Sequence, residues 1–136
     1  MIKFSKKSQY GLRAMVYLAK YKGKICPLKM ISEKEGISFD YLEKIIGKLE
    51  KIGLIKAKKG VRGGYFLAKS PEKIKVGEIL RVLEGEVSLV RCINKKEKYF
   101  CPKKKECLTI NFWKKIQKTL NNTLNSITLA NLIKRK

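Results

Sequence analysis

The chain has 136 residues, with 33 Lys plus Arg against 11 Asp plus Glu, a formal charge of +22 and no histidine. The missing imidazole excludes Ser-His and Cys-His nucleophilic sites and histidine-anchored zinc or haem. A 44% hydrophobic content in so short a chain implies one compact core, and the cationic excess makes a polyanion, nucleic acid or an anionic membrane surface, the default partner.

The start, MIKFSKKSQYGLRAM, is basic but lacks the apolar run of a secretory signal, so a cytoplasmic location is expected. Leu12, Met15, Val16 and Ala19 recur at helical steps and predict a first helix over Gln9 to Ala19. Pro27 at a helix start and Gly36 at a helix stop frame a second helix of about two turns. Ser38 then caps a third, with Ile37 and Leu42 placed as a hydrophobic staple and Asp40 at the positive end of the dipole. Leu42, Ile45, Ile46, Leu49 and Ile52 form its apolar stripe, and Gly53 with Leu54 supplies a Schellman-type ending. Two helices joined through Gly36 and Ile37 read as a helix-turn-helix.

LIKAK and YFLAK flank the glycine-rich, cationic KGVRGG, the pattern of a β-hairpin wing. No Gly-Lys-Ser/Thr ending follows, so the turn is not a nucleotide P-loop. A short helix over Val76 to Leu83 stops near Gly85, and Arg91 to Glu106 is a lysine-rich loop. Ile110, Trp113, Ile116, Leu120, Leu124 and Ile127 predict a long helix with a narrow apolar seam suited to a partner helix. Thr128 caps a last turn, Leu129 to Ile133, ahead of a frayed basic end at Arg135 and Lys136. The charge-free stretch Thr119 to Ile133 carries four asparagines and falls short of a bilayer span, which leaves nucleic acid as the expected partner. The expected fold is mainly α with a small β-hairpin wing. Residues 1–85 form the winged helix-turn-helix, 86–108 a cysteine-containing loop, and 109–136 a dimerisation helix and tail, in one compact domain.

A recognition helix reads base edges from its N-terminal side, so Ser38, Asp40, Tyr41, Glu43 and Lys44 are the residues expected to face a major groove. There a carboxylate accepts from cytosine N4 and Lys44 donates to guanine. Lys58, Lys59 and Arg62 of the wing grip phosphate or enter the minor groove. Asp40 has a plainer alternative, a first-turn acid serving the helix dipole. Cys92, Cys101 and Cys107 are spaced C-x8-C-x5-C, which matches neither paired CxxC zinc knuckles nor a thioredoxin-type pair. With Lys95, Lys96, Lys98, Lys103, Lys104 and Lys105 around them, such thiolates can hold an iron-sulfur cluster, bind a soft metal or oxidise to a regulatory disulfide. The plain alternative is a solvated surface loop with cysteines packed as small hydrophobes. Cys26, between Ile25 and Pro27, is expected to be packed.

The segments SQYGLRAMVYLA, PLKMISEKEGISFDYLEKIIGKLEKIGLIKAKKGVRGGYFLAK, VGEILRVLEG, CLTINFW and NNTLNSITL occur in this order. Together they resemble the winged-helix regulators that include the iron-sulfur regulator IscR and the nitric-oxide sensor NsrR. The resemblance implies a homodimer crossed through the long helix, bound to a partly palindromic duplex DNA operator, with an iron-sulfur cluster in the cysteine loop controlling that binding. It implies Cys92, Cys101 and Cys107 as ligands, Glu43 as the recognition-helix acid and Lys59 as the wing cation, where arginine is commoner. Ile110 stands where IscR-like proteins carry a histidine ligand, and Ser8 and Gln9 stand near the place of an aspartate that NsrR-like proteins borrow from the partner. Glu97, Glu106 and Asn111 are conceivable oxygen donors. Three thiolates without imidazole favour a 4Fe-4S over a 2Fe-2S cluster. The expected function is a repressor sensing iron-sulfur status, oxygen or nitric oxide; a cluster-free thiol regulator and a basic RNA-binding protein are the alternatives, and an enzyme is not expected.

Overall fold

The computed structural model describes residues 2–94 and 99–134. Lys95, Lys96, Glu97 and Lys98 of the cysteine loop, and the basic end at Arg135 and Lys136, lie outside the described residues. Six α-helices and one two-stranded antiparallel hairpin account for the described regular structure, apart from short 3-10 turns.

Helix α1 (Lys6–Lys20) begins three residues before the expected start, because the Ser5 hydroxyl accepts from the Ser8 amide and caps it there. Pro27 precedes α2 (Leu28–Glu35) in the cap position rather than entering it, with φ −61° and ψ 141°. Gly36 closes α2 at φ 66°, a left-handed conformation that a side chain resists, and so turns the chain within two residues into the next cap. Helix α3 (Phe39–Ile52) is built as its sequence directs. Ser38 accepts from the Tyr41 amide, Ile37 and Leu42 are both buried, and the Leu54 and Gly53 amides return to the Leu49 and Glu50 carbonyls at 3.1 and 3.0 Å. The stripe holds for Leu42, Ile45, Ile46 and Leu49, but Ile52 is 61% exposed. Ile52 lies at the last turn, where the chain swings away toward the hairpin and no element covers it.

Strands β1 (Ile55–Lys58) and β2 (Gly64–Leu67) pair in the register Ile55 with Leu67 through Lys58 with Gly64. A contact absent from the sequence reading anchors them: Cys26 and Tyr65 exchange backbone hydrogen bonds at 2.9 and 2.8 Å, so the linker before α2 acts as a one-residue third strand. Gly64 permits this approach, since a Cβ there would stand 2.5 Å from the Cys26 carbonyl.

Helix α4 (Val76–Glu84) buries Ile79, Leu80 and Leu83, and the Glu78 carboxylate accepts from the Lys75 amide at its start. Helix α5 (Ile110–Ser126) has no fully buried residue; Ile116 is 40% exposed and Phe112 55%. Two polar ties hold it to the body. The Gln117 amide group bonds the Val87 carbonyl at 2.7 Å and the Leu89 amide at 2.8 Å, and Arg81 donates to Asn125 at 2.9 Å. After α5 the chain returns to the core: Val76 and Leu129 donate to the Ile127 and Ile74 carbonyls, and α6 (Leu129–Ile133), capped by Thr128, sets Leu129 fully inside. At the other end of the molecule the buried Ser8 hydroxyl and the Ser5 hydroxyl and amide all donate to Glu84, tying the start of α1 to the end of α4.

Candidate nucleic-acid interface and cysteine loop

With Leu42, Ile45, Ile46 and Leu49 turned inward, about 3.6 residues per turn places Asp40, Lys44, Gly47 and Lys51 along the outermost line of α3, and all four are exposed. Charge is unequal on the two edges of that line. Glu43 and Glu50 lie toward the hairpin, where, after burial, their charges push the Tyr65 hydroxyl above its ordinary range. Lys48 lies toward α1, and there the neighbouring Lys7 ammonium, a like charge, pulls the Lys48 ammonium below the ordinary lysine range.

The expected groove-facing residues divide accordingly. Asp40, Glu43 and Lys44 are exposed with their side chains directed outward. The Ser38 hydroxyl is engaged as the cap of α3, which leaves it acceptor and donor capacity on an exposed residue. Tyr41 is half-buried and packs edge-on against Tyr10 of α1, ring centroids 5.8 Å apart, so much of its ring belongs to the α1–α3 seam. Arg13, ion-paired with Glu35 of α2 at 3.2 Å, and Lys6 stand over Tyr10 at 5.7 and 5.9 Å. Lys58 ends β1 opposite Gly64, and Lys59 and Arg62 occupy the exposed turn, closed by a Gly63 to Gly60 bond of 3.0 Å. The sequence reading missed Lys7 and Lys48. No periodicity joins residues so far apart; only the packing of α1 across α3 brings them together.

Cys92 lies in a 3-10 turn over Arg91–Ile93, Cys101 in the loop, and Cys107 between a second 3-10 turn, Lys104–Glu106, and α5. All three thiols are free and half-buried. Arg91 stacks over the Tyr99 ring at 4.4 Å, and Cys92 lines a cationic cavity with Tyr99, Lys104, Lys114 and Lys118. Cys107 sits at the start of α5 with its sulfur 3.3 Å from the Thr109 hydroxyl. That hydroxyl, then the Thr109 and Ile110 amides, holds the Cys107 thiol below the ordinary range. Hydrogen bonds at a helix start do here what the sequence assigned to lysines.

The donor set suits an iron-sulfur cluster in kind, since three free thiols share one loop. Among the described residues, however, no group of three Cys, Asp or Glu side chains stands close enough to hold a metal ion. Ser8 is unavailable as an oxygen donor, being fully buried and committed to Glu84, and Gln9 donates to the Phe4 carbonyl at 2.9 Å. Glu106 and Asn111 are exposed, and Glu97 lies outside the described residues. Cys26 is 4% exposed, and burial pushes its thiol up, as expected of a packed cysteine. No described helix is long and apolar enough to cross a membrane.

A family model described as Rrf2, iron-dependent transcriptional regulator, matches residues 4–135. The HTH-type transcriptional regulator IscR of Erwinia tasmaniensis is 34% identical over 97% of this chain and 79% of its own length. Among solved structures, CymR (YrzC), the global cysteine regulator of B. subtilis, is 38% identical with a TM-score of 0.79, covering 97% of this chain and 96% of that one. T. potens IscR is 40% identical with a TM-score of 0.77, covering 97% and 86%. The oxidized form of Staphylococcus aureus CymR is 34% identical with a TM-score of 0.76, covering 99% and 98%.

Proposed function

The chain belongs to the Rrf2 family of DNA-binding transcriptional regulators, and from that premise we propose that it is a dimeric repressor whose cysteine loop senses iron-sulfur status, oxygen or nitric oxide. The observation that carries the DNA-reading part is the outer line of α3, exposed throughout and bearing no apolar side chain, with the hairpin and its cationic turn following α3 in the chain. Glu43 and Lys44 meet base edges, Asp40 serves the helix dipole and base contacts alike, and Lys58, Lys59 and Arg62 hold phosphates. Dimerisation through α5 is supported by its half-covered seam, which leaves Ile116 exposed and Ile110, Trp113, Leu120, Leu124 and Ile127 only half-buried in a single copy. Two copies related by a two-fold axis then present two α3 helices to a partly palindromic operator.

Cys92, Cys101 and Cys107 would hold the cluster, of the 4Fe-4S type, because the chain offers three loop thiolates and no imidazole. Bound there, it supplies an oxidant-labile inorganic centre. The chain's own part is to favour ionisation of the Cys107 thiol through Thr109 and to connect the loop to α5, which begins three residues beyond Cys107. Protein purified without oxygen should contain iron and sulfide and absorb in the visible. Serine at any of the three loop positions should abolish that absorbance, and Cys26→Ser should leave it intact. A requirement for Cys26, or full occupancy without Cys101, would overturn the ligand assignment.

One observation favours a second reading, a thiol switch without a cluster: the Cys107 thiol is acidified by hydrogen bonds that need no metal. Colourless anaerobic protein whose DNA affinity still responds to oxidant would select it.

A further inference from the structure

The cavity beside Cys92 has a lining that neither DNA reading nor thiol chemistry requires. It measures about 570 Å³, within the range of small-molecule sites, and lies between the cysteine loop and one face of α5. Lys104 comes from the second 3-10 turn of the loop, and Lys114 and Lys118 from successive turns of α5. Residues four apart share one helix face, so the two α5 ammonium groups border the cavity together, and like charges at that spacing disfavour the helix until a counter-charge arrives. None of the described lining residues is acidic, and among the described residues none of the three lysines pairs with a carboxylate. An oriented amide completes the wall. Gln117, held by Val87 and Leu89, donates to the Asn121 side-chain oxygen at 3.0 Å, which leaves the Asn121 amino group as a donor. Tyr99 stands on the loop side with Arg91 packed over its ring at 4.4 Å. Helix α5 packs on α4, and α4 on α3, so a helix separates this cavity from the reading helix.

We propose that this cavity binds a small, water-soluble polyanion carrying two or three carboxylate or phosphate groups, held by Lys104, Lys114, Lys118 and the Asn121 amide. Three ammonium groups border one space in which no described carboxylate answers them, so the charge that complements the cavity is negative and multiple. A carboxylate or phosphate offers several acceptor oxygens at once, which suits clustered ammonium groups and an oriented amide better than a monovalent ion such as chloride. The described lining is polar apart from Cys92, Ile93 and the Tyr99 ring, a composition unsuited to a lipid or an apolar effector. Once bound, the anion joins the turn that carries Lys104 to α5, and so restrains the loop in which Cys101 and Cys107 lie on either side of that turn. The contacts come from lysines and an amide, and none of them requires the thiols to hold or to lack a cluster.

The test is calorimetry on full-length protein isolated without oxygen, at constant ionic strength in chloride. Tricarballylate serves as the carboxylate probe and a hexose bisphosphate as the phosphate probe. At least one should bind saturably with one site per chain, and the tighter of the two identifies the anionic group. Lys104→Gln, Lys114→Gln and Lys118→Gln should each weaken that binding by about tenfold or more, as loss of a charged hydrogen bond requires. Lys115→Gln removes the same charge from α5 outside the lining of the cavity, and should change the affinity by less than about twofold. The melting temperature of wild type should rise with the bound probe, and that rise should be lost in Lys114→Gln. Duplexes recovered by wild type from a random-sequence pool should bind Lys114→Gln with an unchanged salt slope. Absence of saturable binding by either probe, or equal weakening by Lys115→Gln and Lys114→Gln, would overturn the site and leave only attraction to a basic surface. A lowered salt slope in Lys114→Gln would overturn it in favour of a contact with DNA. Neither result bears on α3 as the reading helix.

Discussion

The Glu84 carboxylate accepts from the Ser5 amide at 3.1 Å, from the Ser5 hydroxyl at 2.7 Å and from the buried Ser8 hydroxyl. These bonds, Ser8 first, hold it below its ordinary value of 4.5. A carboxyl whose folded value is depressed stabilises the fold above its unfolded value, and that contribution is lost as pH falls through the folded one. Glu84→Gln should therefore cost roughly 1 kcal/mol near neutrality, allowing for solvent at this exposed group, and the gap from wild type should close on acidification. Denaturant melts at a series of pH values below 6 measure it. On α3, Glu43→Ala should relax sequence preference at particular base pairs, whereas Lys59→Ala or Arg62→Ala in the hairpin turn should weaken every duplex equally. Binding across a panel of single-base operator variants separates the two behaviours; uniform weakening by Glu43→Ala would remove it from the base-reading set.

Among the elements, α6 has the least obvious role in sequence and a substantial one in the core. Leu129 is fully buried, and its amide bonds the Ile74 carbonyl ahead of α4. Leu129→Ala should cost about 2 to 5 kcal/mol by cavity formation, seen as a shifted denaturation midpoint with unchanged slope. Helix α5 behaves in the opposite way, since its apolar residues contribute little to the core of one chain. Ile116 and Leu120 line a groove with Phe4 and the Val87–Leu89 segment, leaving room for a second copy. Leu120→Glu should yield monomers by sedimentation with strongly reduced operator affinity, because each copy would bury an unpaired charge near the two-fold axis. A tight dimer in this variant would move the interface elsewhere.

For the molecule as a whole, the charge of +22 is spread along the chain, with only β2 and α6 among the helices and strands free of charged residues, and only part of it can reach DNA at once. In the proposed dimer two hairpin turns, two α3 helices and the α1 starts would bring contacts to roughly 6 to 10 phosphates, so affinity should fall by about three to five orders of magnitude between roughly 50 and 200 mM salt. Titrations over that range check it. A shallow dependence would mean that most of the charge faces away from the duplex and serves another purpose. Among the described residues the cysteine loop is tied to α5 through Gln117, which holds the segment before the loop, and through the Cys107 contact with Thr109. A change in the loop would therefore act first on α5, the helix proposed to join two copies.

The sequence alone determined α2, α3, α4 and the hairpin nearly to the residue, because there the controlling interactions are local: the Ser38 cap, the Ile37 and Leu42 staple, the Gly53 ending and the apolar repeat all act within a few residues. It likewise determined that imidazole chemistry is excluded. Tertiary structure decided what depends on residues distant in the chain. The Cys26 bridge to Tyr65, the Ser5–Ser8–Glu84 tie, the burial of Leu129, the exposure of Ile52 and the meeting of Lys7 with Lys48 all join segments whose separation carries no period. The cysteine loop shows the same division. Its three thiols stand out in the sequence by crowding into one lysine-rich stretch, but the acidification of Cys107 follows from the fold, which sets its sulfur against the Thr109 hydroxyl and the Thr109 and Ile110 amides.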